Sequence, residues 1–397
     1  MAQAQTTALP FLNGSSPLIE EMQGPSGGSQ QAYTLGKTLA WNSKDGAVGL
    51  AEEIRIRITG TVTPTLGAGA AIWSAMRSFF TTIRVKQGGT TIKEWHPFGY
   101  VLLRQRMRRN TNDVNAPTVV SAYSGPSATF PLGSALPAIV GAAAIPFAFT
   151  LVIPLRPFRH LMLGAMQCGD NTNPIVLECV TPASAQDVDP EAAPVIVSGG
   201  ATVAFAANVN ATYLYRRPFV YQKGVSVEAP VVGFVIRDSH NSVAISQVGS
   251  DIPISHKNLY PHIAIASVIE DGQSNAATGV TGLSTSEIVK FIFQLTEEMK
   301  VINCDTQNKI NHYLGIQREI YGQDAPDGVF LYDPYLVNFG AELLTEPELQ
   351  DPHPVPDFQI WSNAQTVFQL ASGTVINTNP GIARIRTFSE YFLAVGY

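Results

Sequence analysis

The chain has 397 residues, 45% of them hydrophobic and only 14% charged, with a formal net charge of −6. That length exceeds one ordinary core, so two domains are expected, and the negative balance argues against a protein that coats nucleic acid electrostatically. Average soluble chains are roughly 25% charged, so the low charge suits a surface covered by other subunits; a free β-domain with a Ser/Thr/Asn surface is the bland alternative. Thirty-three Gly and 27 Pro imply many turns and few long helices. Cys168, Cys179 and Cys304 contain no CxxC pair, so a disulfide framework is not expected and a reducing site of synthesis is the simplest reading.

In chain order, MAQAQTTALPF has neither a basic n-region nor an apolar h-region, so no secretion signal is read. Residues 1–35 read as a flexible arm. Leu9, Phe11, Leu12, Leu18 and Ile19 are apolar, while Pro10, Gly14 and Pro17 oppose a long regular element, and GPSGGSQQ (Gly24 to Gln31) has linker composition. The arm is either a disordered terminus or a segment that orders against a neighbouring subunit or a lipid surface through those five residues.

Glu53 to Val62 is a period-two strand with Ile54, Ile56 and Ile58 on one face and Arg55 and Arg57 on the other. From Met76 to Asn110 the pattern is strand, Gly88-Gly89 hairpin turn, returning strand Thr90 to Trp95, then a short Arg-rich helix opened by Pro97. Thr111 to Pro146 is a long, weakly patterned loop, the kind that is usually functional or interfacial. The apolar run Pro137 to Ile153 is broken by Pro146 and reads as loop plus strand, not a membrane span. Strands at Phe147 to Ile153, Ile175 to Val180 and Ala201 to Tyr215 complete the first half.

Residues 218–230 read as a linker between domains at 36–217 and 231–397. In the second half, strands are expected at Val231 to Ile236, Asp251 to Ser255 and His262 to Ile269. The unit then recurs from Glu287 to Gly322: Val289, Phe291, Phe293 and Leu295 alternate, Asp305 is the expected N-cap, and Ile310, Tyr313, Leu314, Ile320 and Tyr321 form a helical stripe. Short strands at Gly328 to Leu331, Phe358 to Trp361, Val367 to Leu370 and Gly373 to Ile376 precede a closing strand, Ile382 to Val395. Many short strands, one flanking helix per half and a repeated order predict an all-β chain of two tandem β-sandwiches. Eight strands per half would fit jelly rolls, which periodicity does not separate from other sandwiches.

Little catalytic chemistry is legible. The seven histidines (His96, His160, His240, His256, His262, His312, His353) make no HxH or HExxH spacing, so no metal or other cofactor is assigned. Asp238-Ser239-His240 has triad residue types, but adjacent residues of an extended chain point oppositely, and G-x-S-x-G is absent. Neither Walker A nor GxGxxG occurs. Cys304 precedes the second helix, where a thiolate could be favoured; a buried structural thiol is the plainer reading. Arg104, Arg106, Arg108 and Arg109 form the dense basic cluster, readable as a phosphate or headgroup site or as a solvated or ion-paired contact face.

The series GLAEEIRIRITGTVT, EWHPFGYVLLRQRM, PFAFTLVIPLRPF, NLYPHIAIASVIEDGQ, DTQNKINHYLGIQREI and DGVFLYD resembles, in order, spacing and length, the double jelly-roll major capsid proteins of tailless, membrane-containing icosahedral viruses, the tectivirus–adenovirus lineage. The resemblance covers most of residues 36–397. It implies a double jelly roll without catalysis, homotrimers of pseudo-hexagonal outline, trimer–trimer lattice contacts, minor capsid and vertex proteins as partners, and an internal lipid membrane near the N-terminal arm. It also implies a virion location after synthesis in host cytoplasm, bacteriophages included, with no sequence-specific nucleic-acid binding. The runner-up is a carbohydrate-binding two-domain β-sandwich, a spike or lectin-like protein using exposed Trp73, Trp95 or Trp361. A third reading, a jelly-roll glycosidase, needs two carboxylates across a cleft.

Overall fold

Alternation becomes ladders. In the computed structural model, Ile54, Ile56 and Ile58 are fully buried along the strand Gly49–Thr65, and Arg55 and Arg57 are exposed on its other face. The structure describes residues 7–9, 15–44, 49–73, 79–95, 138–155, 165–168, 173–187, 192–218, 225–227, 234–256, 262–275, 279–282, 287–294, 300–321, 329–332, 364–376 and 383–394.

Among these, the first half holds β1 (Thr7–Leu9), β2 (Ser15–Glu21), β3 (Gln30–Ala32), β4 (Thr38–Asn42), β5 (Gly49–Thr65), β6 (Ala70–Trp73), β7 (Thr82–Gln87), β8 (Thr90–Trp95), β9 (Ala138–Ile139), β10 (Ile145–Pro154), β11 (Met166–Cys168), β12 (Ile175–Val180), β13 (Gln186–Asp187), β14 (Val195–Ser198), β15 (Thr202–Pro218) and β16 (Val225–Val227). The second half holds β17 (Phe234–Ala244), β18 (Asp251–Ser255), β19 (His262–Asn275), β20 (Gly279–Gly282), β21 (Ile288–Gln294), β22 (Lys300–Cys304), the helix α1 (Gln307–Tyr321), β23 (Val329–Tyr332), β24 (Gln365–Leu370) and β25 (Ala383–Ala394).

Each half is a sandwich of two antiparallel sheets. The first packs β2-β15-β5-β10 against β4-β12-β7-β8; the second packs β17-β25-β19, with β23 on β19, against β18-β24-β21-β22. Read in chain order, the two sets correspond strand for strand. β2, β4, β5, β7, β8, β10, β12 and β15 occupy the positions of β17, β18, β19, β21, β22, β23, β24 and β25. Eight strands with this connectivity, twice, make a double jelly roll. The first half adds a small sheet, β13-β14-β6-β9.

The cores are separate. One runs from Met22 to Tyr215 and contains Trp73 stacked with Phe79 (6.0 Å between centroids) and edge-on to Phe147 (5.3 Å). The other runs from Ile245 to Ile385 around Phe291, whose ring meets Phe330 at 4.7 Å, Phe368 at 5.2 Å and Tyr313 at 5.3 Å. Tyr313 and Ile310 are the stripe by which α1 seats on this core.

Four expectations change. Part of the expected arm is sheet: β2 pairs with β15 from Ser15 to Glu21, and β3 pairs with it from Gln30 to Ala32. Pro17 is tolerated because β2 is an edge strand, where a missing N–H costs no ladder bond. The cap of α1 is Thr306, whose Oγ1 accepts from the Lys309 N–H (3.4 Å); Asp305 instead takes the Lys309 ammonium at 2.6 Å. Along β21 a bulge between Ile288 and Lys290 moves Ile288, not Val289, to a buried position. Gly373 to Ile376 is not a strand: Thr374 N–H donates to Ala371 C=O and closes a turn. The helix expected after Pro97, the 111–137 part of the long loop, and the strand expected at Phe358 to Trp361 lie outside the described residues, as does Gly322.

Candidate functional site

The chemistry-bearing side chains are mostly consumed by packing. His256 is buried, its Nε2 2.7 Å from Thr366 Oγ1 and its ring against Phe293. His240 stacks on Phe388 (4.9 Å); burial, then the Arg384 guanidinium, lowers its pKa, while Glu94 pulls the other way. Asp238-Ser239-His240 lies along β17 opposite Glu390, Ser389 and Phe388. Among the described residues no three His, Cys, Asp or Glu side chains are placed to hold a metal ion. His96, His160, His353 and Glu297-Glu298 lie outside them.

All three cysteines are buried and unpaired with one another. The Cys304 thiol donates to the Lys309 carbonyl at 3.6 Å, and burial pushes its pKa up to about 11, the opposite of an activated thiolate. Burial likewise raises Cys168 to about 12 and Cys179 well above the ordinary value. Unfolded thiols ionise near about 8.5. Because the folded pKa values are raised, the stability these neutral thiols contribute is fully present below pH about 8.5. It is lost as pH climbs toward 11–12. Folded protein should therefore show almost no reaction with a colorimetric disulfide reagent at pH 8, and three thiols on denaturation. Rapid labelling of a native thiol would refute the burial.

What the folded chain does offer is surface. The outer face of the β2-β15-β5-β10 sheet carries Arg55, Arg57, Thr61, Ala204, Ala206 and Asn208 in exposed positions. At its edge, Leu18 is 37% and Ile19 64% exposed. Arg55 pairs with Glu53; Arg57 has no ion pair among the described residues. The outer face of the β12-β7-β8 sheet is laced by ion pairs, Arg84 on β7 with Glu94 on β8 at 3.3 Å and Lys86 on β7 with Glu178 on β12 at 2.6 Å. The halves meet where β8 runs alongside β17. On β25, which pairs with β17, Arg386 and Phe388 are only 1% and 6% exposed although they face away from Ile385.

Of the residues singled out from sequence, Leu18 and Ile19 thus sit together on an exposed edge strand. Leu9 lies in β1, which pairs in parallel with β16, so the N-terminal segment is tied to the stretch read as a linker. Phe11, Leu12, Arg104, Arg106, Arg108 and Arg109 lie outside the described residues. The sugar-site reading loses Trp73, which is buried among Phe79, Phe147 and Phe205; Trp361 is not among the described residues. Sequence reading passed over Arg55 and Arg57 as contact residues. The available signal was two alternating arginines in a stretch otherwise short of charge.

The class these features define is the double jelly roll. No protein-family model and no curated protein sequence matches the chain. Solved structures do match in fold, and they are major capsid proteins of double jelly-roll icosahedral viruses. The STIV MCP crystal structure aligns with a TM-score of 0.57 at 10% identity, covering 96% of this chain and 97% of that one. The atomic structure of Sulfolobus Turreted Icosahedral Virus gives 0.58 at 12% identity, with 95% and 91% covered. PBCV-1 VP54, fitted into a reconstruction of the virophage Sputnik, gives 0.56 at 11% identity, with 95% and 94% covered.

Proposed function

We propose that this chain is a structural major capsid protein whose homotrimers, pseudo-hexagonal in outline, tile an icosahedral viral shell around an internal membrane. The observation that carries the reading is the internal repetition: eight strands of one connectivity, twice in one polypeptide, in a fold whose solved examples are major capsid proteins. Three copies of a two-part chain present six similar bodies to a lattice. The parts are domains at 36–217 and 231–397 with 218–230 between them, the first now extended by the strands at 15–21 and 30–32.

No catalysis is assigned. The thiols are neutral and buried, and His256 is held by Thr366. The product would be a virion component made in host cytoplasm, with minor capsid and vertex proteins as neighbours. The segment around Leu9 to Ile19 would contact subunits or membrane. Low charge and the exposed small side chains Thr61, Ala204 and Ala206 suit large subunit contacts. Sedimentation should show a stable species of three times the 42.7 kDa chain mass, about 128 kDa. A strictly monomeric protein at high concentration would sink this reading.

A further inference from the structure

The two halves differ in histidine. Among the described residues the first half holds none, and the second holds His240, His256, His262 and His312. His240 lies on the outer face of β17 and His312 on the exposed side of α1, whereas His256 is 6% exposed. β4 and β18 are corresponding strands of five residues, and each is followed by one more buried residue. Leu39, Trp41 and Ser43 are the buried positions in the first half, Ile252, Ile254 and His256 in the second. The backbone agrees: Ser43 N–H donates to Ile175 C=O and His256 N–H to Ala364 C=O, both at 2.8 Å. The repeat thus sets a titratable ring where its other copy has a hydroxyl.

That ring sits between a hydroxyl and a phenyl group. His256 Nε2 lies 2.7 Å from Thr366 Oγ1, and the ring meets Phe293 at 6.0 Å; Thr366 and Phe293 are fully buried. The charges on the surrounding strands are engaged elsewhere. Asp251 on β18 and Lys290 on β21 pair with each other at 2.7 Å on the opposite face of the sheet, and β24 carries no charged residue. Lys300 on β22 and Asp305 and Lys309 on α1 are exposed. Across the sandwich, Arg384 and Arg386 alternate with the core-facing positions Ile385 and Thr387.

We propose that His256 is an acid-operated release of the second half: protonation of its ring places a charge in that core, and this half opens while the first stays folded. An unfolded imidazole takes up a proton near about pH 6.5, and burial in a core opposes the charged form. Unfolding therefore binds a proton as pH falls, so the stability present above about pH 6.5 is lost progressively below it. From about pH 7.5 to 5.5, one such group raises the unfolding constant of its half by about tenfold. Carboxylates ionise near about 4, so ion pairs of the first half such as Arg216 with Glu52 outlast this window. His240 acts in the same direction, because burial and then the Arg384 guanidinium lower its pKa against the pull of Glu94. The release belongs to a single folded chain and does not depend on assembly.

The test reads the three buried thiols with a dipyridyl disulfide, which labels thiols even in mild acid, at pH 7.5, 6.5 and 5.5. Peptide mass spectrometry gives the labelling rate at Cys304 in the second core and at Cys168 and Cys179 in the first. Their ratio cancels the reagent's own response to pH. In wild type the Cys304 ratio should rise about tenfold from pH 7.5 to 5.5. His256→Gln, which keeps a polar group for Thr366 and does not titrate, should hold the ratio flat, and His240→Gln should keep most of the rise. His256→Ser, which copies the first half, takes the place of the glutamine variant if that one does not fold. A flat wild-type ratio overturns the proposal, and so does a rise that survives the loss of His256 or vanishes with His240→Gln.

Discussion

Trp73→Ala is expected to destabilise the first half by about 3–5 kcal/mol, and Phe291→Ala the second half by a similar amount, as large-to-small changes at buried aromatics do. Trp73 touches Phe79, Phe147 and Phe205, and Phe291 touches Tyr313, Phe330 and Phe368, so each truncation removes several ring contacts at once. The two cores share no residue. Calorimetry should then resolve two transitions, each variant lowering its own by roughly 6–20 °C and leaving the other near its wild-type position. Equal lowering of a single transition by both variants would show that the halves unfold as one unit, with the β8–β17 contact as strong as either core. Trp73→Phe should be milder than alanine. It keeps a ring in the cluster and removes an indole N–H that is buried without a partner.

The parts of this fold that were legible in the sequence are those where period alone decides. The hairpin Thr82–Gln87, Gly88-Gly89, Thr90–Trp95 is found as read, because both glycines take positive φ (57° and 78°) and no other residue type does so as cheaply. The closing strand β15 also follows its alternation, and β25 lies within the closing strand read at Ile382 to Val395. What was not legible depends on partners distant in sequence. Ser15–Glu21 looks like an arm until β15 is present to pair with it. Arg386 reads as an outward residue of a half-buried strand, and is buried only because that face of the second sheet is covered. The β21 bulge is set by β24, more than 70 residues away, and no local signal marks it. The candidate surface was hidden for the same reason: Arg55 and Arg57 signal an exposed face, and only the topology shows that the equivalent face of the other half is occupied.

Gly60 joins core and surface, and its replacement is the second large effect expected. It sits on β5 opposite Phe147 on β10 and Ala207 on β15. A Cβ there would lie 2.3 Å from the Ala206 carbonyl oxygen, 2.6 Å from Ala207 Cβ and 2.7 Å from Ala207 Cα. The obstacle is mostly backbone, so relief requires moving β15 away from β5, the pair that forms the spine of the sheet. Overpacking of this kind costs about 1–3 kcal/mol for the smallest addition, and Gly60→Val should exceed that and give little soluble protein. Gly60→Ala should fold with a lowered first transition and an intact second one. Its side chain points to the core, while Thr59 and Thr61 keep their places on the outer face. Any loss of self-association in folded Gly60→Ala would then come from a displaced sheet, not from altered surface chemistry. A Gly60→Ala protein with an unshifted first transition would mean that β5 and β15 do not approach as closely as described.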